Sequence, residues 1–132
     1  MAIELVEDSG RQWLIATASG GLTLEDVLEF MKSARAPVER RMTPLLFDAR
    51  GATTTMTAAD VDEAAALAQK AVEQGGPRGH VALVAEDNWL YECMVRYETL
   101  CTEAGISLIR VFRQRADAEL WLQTLSAARY FR

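Results

Sequence analysis

Asp48 is the carboxylate whose surroundings in the chain most resemble a reactive site. It closes the apolar run Leu45-Leu46-Phe47 and precedes Ala49-Arg50-Gly51-Ala52-Thr53-Thr54-Thr55-Met56-Thr57. An acid at the end of a buried strand, ahead of a hydroxyl-rich stretch, has the placement of a general base. Its simpler role is to accept hydrogen bonds from loop amides. Thr53, Thr54 and Thr55 are placed to line an anion or hydroxyl-ligand site; their simpler and favoured role is as β-prone residues of an exposed loop. Thr57 stands where the next helix begins. Its hydroxyl suits an N-cap, worth about 1 kcal/mol. A phosphate there would meet the positive end of that helix, against repulsion from Asp60, Asp62 and Glu63.

The second group of chemically interesting side chains is Trp89, Tyr91, Cys93, Arg96 and Tyr97. In a helix they belong to two adjacent stripes, Leu90-Met94-Tyr97-Cys101-Ala104 and Trp89-Cys93-Arg96-Leu100. So wide an apolar face means a broad core, a dimer surface, or one wall of a lipophilic cavity. Aromatics beside an arginine suit a protein interface.

Other chemistries lack their residues. The single histidine, His80, opens a different strand and reads as a surface or strand-edge residue. There is no zinc spacing of Cys and His, no catalytic triad and no cofactor fingerprint. No enzymatic activity, metal or cofactor is therefore expected. Gly75-Gly76-Pro77-Arg78-Gly79 follows a helix and precedes a strand, the reverse of a phosphate loop, and reads as a helix terminator. Cys93 and Cys101 are about 12 Å apart along a helix, too far for a disulfide. They read as reduced thiols of a cytoplasmic protein.

The chain has 132 residues, half of them hydrophobic and a quarter charged, the composition of one globular domain spanning 1–132. Its net charge of −5 argues against nucleic-acid binding. No signal peptide is read at the N-terminus. No apolar run approaches the roughly 20 residues of a membrane span, so no membrane insertion is expected.

The elements that must position these residues follow from periodicity. Ile3–Glu7 and Trp13–Ala18 alternate around Asp8-Ser9-Gly10 and form a hairpin, which Ser19-Gly20-Gly21 should break. Thr23 with Asp26 begins a helix as a capping box, with Leu22 and Val27 as a hydrophobic staple. Leu24, Val27, Leu28 and Met31 form its buried stripe. It runs to about Ala34 and stops at Pro37, before a basic loop from Ala36 to Thr43. Leu45–Phe47 suits a central strand covered on both faces, and Gly51 frees the chain to turn. Thr57 with Asp60 caps the second helix, with Met56 and Val61 as staple. That helix is alanine-rich, which predicts close packing on the sheet and no deep pocket wall. Val81–Ala85 is the next buried strand, and Asp87-Asn88 caps a helix from Trp89 to Ala104. Ser107–Phe112 is the last strand, and a poorly capped helix from Arg115 turns Ala118, Trp121, Leu122 and Leu125 inward. Its tail, 126–132, extends it or frays. The order ββαβαβαβα predicts an α/β fold, a single mixed, mostly parallel five-stranded sheet with about four helices.

The pattern resembles the SpoIIAA-like, or STAS, domains, especially their uncharacterised STAS/SEC14-like branch. The resemblance covers nearly the whole chain. It rests on Leu46-Phe47-Asp48-Ala49-Arg50-Gly51, on Val81–Val84 ahead of a helix with Arg96-Tyr97, and on Arg110-Val111-Phe112 followed by Ala118–Leu122. It implies a (βα) superhelix with parallel strands in sequence order. It also implies a regulatory role like that of the bacterial anti-sigma factor antagonists, in which an Asp-Ser-Ser-Gly motif carries the phosphorylated serine. Met56-Thr57-Ala58-Ala59 stands at that place here, and only Thr57 keeps a hydroxyl.

The expectation is thus a non-enzymatic regulatory or protein-interaction domain. Its partner would be itself, as a homodimer through the third helix, or a regulatory protein. The alternative is a carrier or sensor of a small apolar or anionic ligand, which needs a pocket between the third helix and the sheet or near the threonines.

Overall fold

The five strands lie side by side in chain order. The computed structural model describes residues 2–33, 40–76, 78–106 and 108–130. Its elements are β1 (Ile3–Asp8), β2 (Trp13–Leu22), α1 (Leu24–Ser33), β3 (Leu45–Thr54), α2 (Ala58–Gly75), β4 (Val81–Val84), α3 (Asn88–Glu103), β5 (Ile109–Phe112) and α4 (Arg115–Tyr130). β1 pairs antiparallel with β2, and every later neighbour pair is parallel. This is the α/β architecture expected from the alternation of patterns. The expected end of α1 near Ala34 and Pro37, with Pro77 and Ser107, lies outside the described residues. The backbone of α4 continues helically through Tyr130.

Leu45 to Ala49 are all buried, as a strand covered on both faces requires. Two expected breaks are not breaks. Ser19-Gly20-Gly21 stays within β2, which slips register between Thr17 and Ser19 and carries Gly20 at φ +70°. Gly51 likewise does not turn the chain, and β3 runs on to Thr54. The two stretches pair with each other, Ser19 with Gly51 and Leu22 with Thr54. Neither has strand propensity alone; the partner backbone supplies the hydrogen bonds that hold each extended. β4 pairs with β3 only as far as Asp48, so this glycine-rich extension is a two-stranded lip.

Crossovers of one hand, taken stepwise across a sheet in one direction, must all lie on one side. α1, α2 and α3 accordingly touch in sequence on one face, and α4 packs on β3, β4 and β5. Alternate residues of β3 divide the core. Phe47 and Ala49 join Phe30, Leu83, Leu90 and Met94 under α1–α3, whereas Leu46 joins Ala118 and Leu122 under α4.

Local signals set the helix starts. Thr23 Oγ1 accepts from the Asp26 amide, and Asp26 accepts from the Thr23 amide, both at 3.1 Å. The same box recurs at Thr57 and Asp60, and Asp87 accepts from the Leu90 amide at 2.9 Å to cap α3. The expected stripe of α1 is different: Leu24, Val27, Leu28 and Met31 are only half-buried, and Phe30 is the buried residue. It meets Phe47 edge-on at 5.3 Å, because α1 leans on α2 and turns that side chain down onto the sheet. Among the described residues no helix is long and apolar enough to cross a membrane.

Candidate functional site

Asp48 faces α4. It is 4% exposed and already fully engaged. It accepts from the Arg50 amide at 3.1 Å, from Arg50 Nε and Nη2 at 2.9 Å each, and from Arg115 Nη1 at 3.0 Å. Burial pulls its carboxyl upward, but Arg50 and Arg115 overcome this and hold it below the usual carboxylate range. Arg115 Nε also reaches Glu119, which takes Arg11 Nη1 at 3.1 Å, while Arg11 Nε donates to Asp8 at 2.8 Å. The result is an ionic ladder tying the β1–β2 turn, α4 and β3 together. A carboxylate so placed is a poor proton acceptor at neutral pH.

The threonines have separate roles. Thr54 is buried; its Oγ1 donates to the Leu22 carbonyl at 2.6 Å and accepts from the Met56 amide at 3.1 Å, fastening the end of β3 to that of β2. Thr53 and Thr55 are exposed. Thr57 accepts from the Asp60 amide at 3.2 Å, and its own amide donates to Asp60 at 2.9 Å. His80 sits half-buried on the α4 side, edge-on to Trp121 at 5.7 Å.

The α3 residues part into two sets. Trp89 donates its indole N–H to the Met56 carbonyl at 2.9 Å, and Arg96 makes a two-pronged pair with Asp62 of α2 at 2.7 and 3.1 Å. Tyr91 lies under the Arg113 guanidinium, 3.9 Å from its ring centre. Cys93 and Tyr97 turn inward and line a chamber. Burial pushes the thiols of Cys93 and Cys101 up, so both are protonated and poorly nucleophilic at neutral pH.

The chamber lies between α1–α3 and the sheet, with a volume of about 200 Å³. Phe47 and Leu83 floor it, Phe30 and Met31 close the α1 side, and Cys93 and Tyr97 close the α3 side. Its roof includes Ala64, Ala68 and Ala71 of α2. Here the expectation of close packing by the alanine-rich helix fails. A methyl group cannot span the distance from helix backbone to strand, so a run of alanines on the inner face leaves volume beneath it. Among the described residues Arg78 is the one charged residue lining the chamber. Arg41, near it, has its Nε buried without a hydrogen-bond partner. Neither arginine stood out in the sequence; the only signals were the basic loop before β3 and an arginine between a proline and a glycine.

Among the described residues no three of His, Cys, Asp and Glu are placed to hold a metal ion. The arrangement is suited to binding: an apolar space half open to solvent, one cationic corner, and an Asp48 carboxylate held in ion pairs.

A parallel sheet in chain order after an N-terminal hairpin, with three helices on one face and the last on the other, is a SpoIIAA-like fold. The solved structure of an uncharacterized protein of the DUF3478 family from Shewanella loihica PV-4, which has that fold, is similar to this chain over 92% of each chain, with a TM-score of 0.55 and 19% identity. No protein-family model and no curated protein matches the sequence.

Proposed function

We propose that this chain is a non-enzymatic binding domain, a carrier or sensor that holds a small ligand with an apolar body between α1–α3 and the sheet. The chamber carries this reading. Apolar walls around about 200 Å³, half open to water, are stabilised when an apolar body covers them, by roughly 25 cal/mol per Å² removed from water. An apolar cavity of about 150 Å³ takes up benzene, so this one suits a body of roughly eight non-hydrogen atoms. The ion-paired state of Asp48 supports the non-enzymatic part. The buried, unpaired Cys93 and Cys101 support a reducing compartment such as the cytoplasm.

The test fills the chamber from its roof. Octanol titrated into the labelled protein is expected to give saturable NMR shifts at Ala64, Leu83 and Cys93. Ala68→Leu should abolish them while raising the midpoint of thermal unfolding. Shifts that are absent, or that persist unchanged in Ala68→Leu, sink the reading.

A protein-interaction face on α3 is favoured by one observation: Trp89 remains 44% exposed. In that reading the domain reports occupancy to a partner or to a second copy. Light scattering after size exclusion is the check, and a monomer at every concentration removes the homodimer.

A further inference from the structure

We infer that the ligand of the chamber is a single-chain carboxylic acid whose carboxylate sits between Arg41 and Arg78. This rests on the chamber reading and adds the chemistry of the head group. A shallow hollow between α1 and α2 shares Met31, Ala71 and Arg78 with the chamber and is otherwise bounded by Lys32, Leu67, Gln74 and Gly75. The shared residues mark the mouth. Beside that mouth, over Gly75 of the hollow, Arg78 Nη2 and Arg41 Nη2 come together, 3.2 and 3.9 Å from the point where a β-carbon on Gly75 would stand.

Among the described residues no acidic side chain pairs with either guanidinium at this corner. The ion pairs among the described residues use Arg11, Arg40, Arg50, Arg96 and Arg115, never Arg41 or Arg78. Arg40, beside Arg41 in the chain, is paired with Glu7. Among the described residues no carboxylate lines either the chamber or the hollow. The carbonyl end of α2 attracts a cation, and Arg78 reaches the Ala71 carbonyl at a long 3.5 Å. That accounts for one guanidinium. It does not account for the second, whose Nε is buried and unpartnered. A buried donor left so costs free energy until an acceptor arrives, and two neighbouring guanidiniums repel until an anion stands between them. Arginine forks suit a carboxylate. The apolar chamber behind them takes the chain, and its volume suits a chain of roughly eight atoms.

Calorimetric titration with octanoate and octanol separates head from body. Octanoate should bind at least tenfold more tightly than octanol, and the advantage should shrink as salt is raised. Arg41→Gln and Arg78→Gln should each weaken octanoate roughly tenfold or more and octanol by much less, with thermal unfolding reporting that the variants fold. Octanol binding as tightly as octanoate, or a salt-independent preference in the unmodified protein, overturns the head-group assignment and leaves the chamber reading standing. If neither compound binds, both fall.

Discussion

At neutral pH the Asp48 carboxylate holds two guanidiniums and a backbone amide in a site it could not occupy alone. Removing one partner of a fully buried pair costs about 3–5 kcal/mol. Arg50 is 43% exposed, so Asp48→Asn is expected to cost less, about 2–3 kcal/mol. Asp48 and Glu119 both lie below their ordinary values when folded. Their contribution is therefore complete above the unfolded values, roughly 3.9–4.3, and is lost as pH falls through the lower folded ones. Urea unfolding followed from pH 7 to pH 3 should show the native protein and Asp48→Asn converging in acid; a constant gap between them would contradict the ladder. The acid and its near neighbour Arg50 were visible in the sequence, but its distant partner Arg115 was not. Thr57 and Asp60 are three residues apart and announce their bond, whereas Arg115 is 67 positions from Asp48. Distance along the chain also hid Arg41 and Arg78, which meet only because the chain returns to the same corner after α2.

Each helix on the crowded face starts from a side-chain cap, and two of those caps are reciprocal boxes. α2 is secured most heavily at its beginning. Its box, the Trp89 bond to Met56 and the Arg96–Asp62 pair all gather within its first two turns. Its other end is held by the Gly76 amide on the Val72 carbonyl and by Arg78. Thr57→Ala should cost about 1 kcal/mol and speed amide exchange at Asp60 and Val61 without altering octanol binding. A loss of binding out of proportion to the stability change would give Thr57 a role beyond the cap. Helix limits were legible because caps act over one turn. The ends of β2 and β3 were not, since their glycines and threonines are extended only through each other.

A sheet whose strand order never reverses has no crevice at its carboxyl edge, the usual ligand site of open α/β sheets. This molecule has its space one layer away, between helices and sheet. A ligand there touches both layers and stabilises the whole fold. At a free concentration a hundredfold above Kd it should add about 2.7 kcal/mol, a rise in the unfolding midpoint on the order of 10 °C for a chain of this size. Thermal scans over a ligand series would show this, and a saturating ligand with no shift would argue for a site outside the chamber. The fold class was legible in the strict alternation of patterns, because patterns repeat locally. The chamber was not, because an unfilled volume belongs to no single segment.

The strand order has one more consequence, for assembly. No strand must be inserted between two that are already paired. Each βα unit docks on the edge laid down just before it, so pairing follows the order in which a ribosome releases the chain. The growing sheet always keeps one open edge waiting for the next strand. The opposite face of β3–β5 stays bare until α4, the last helix of the chain, covers it.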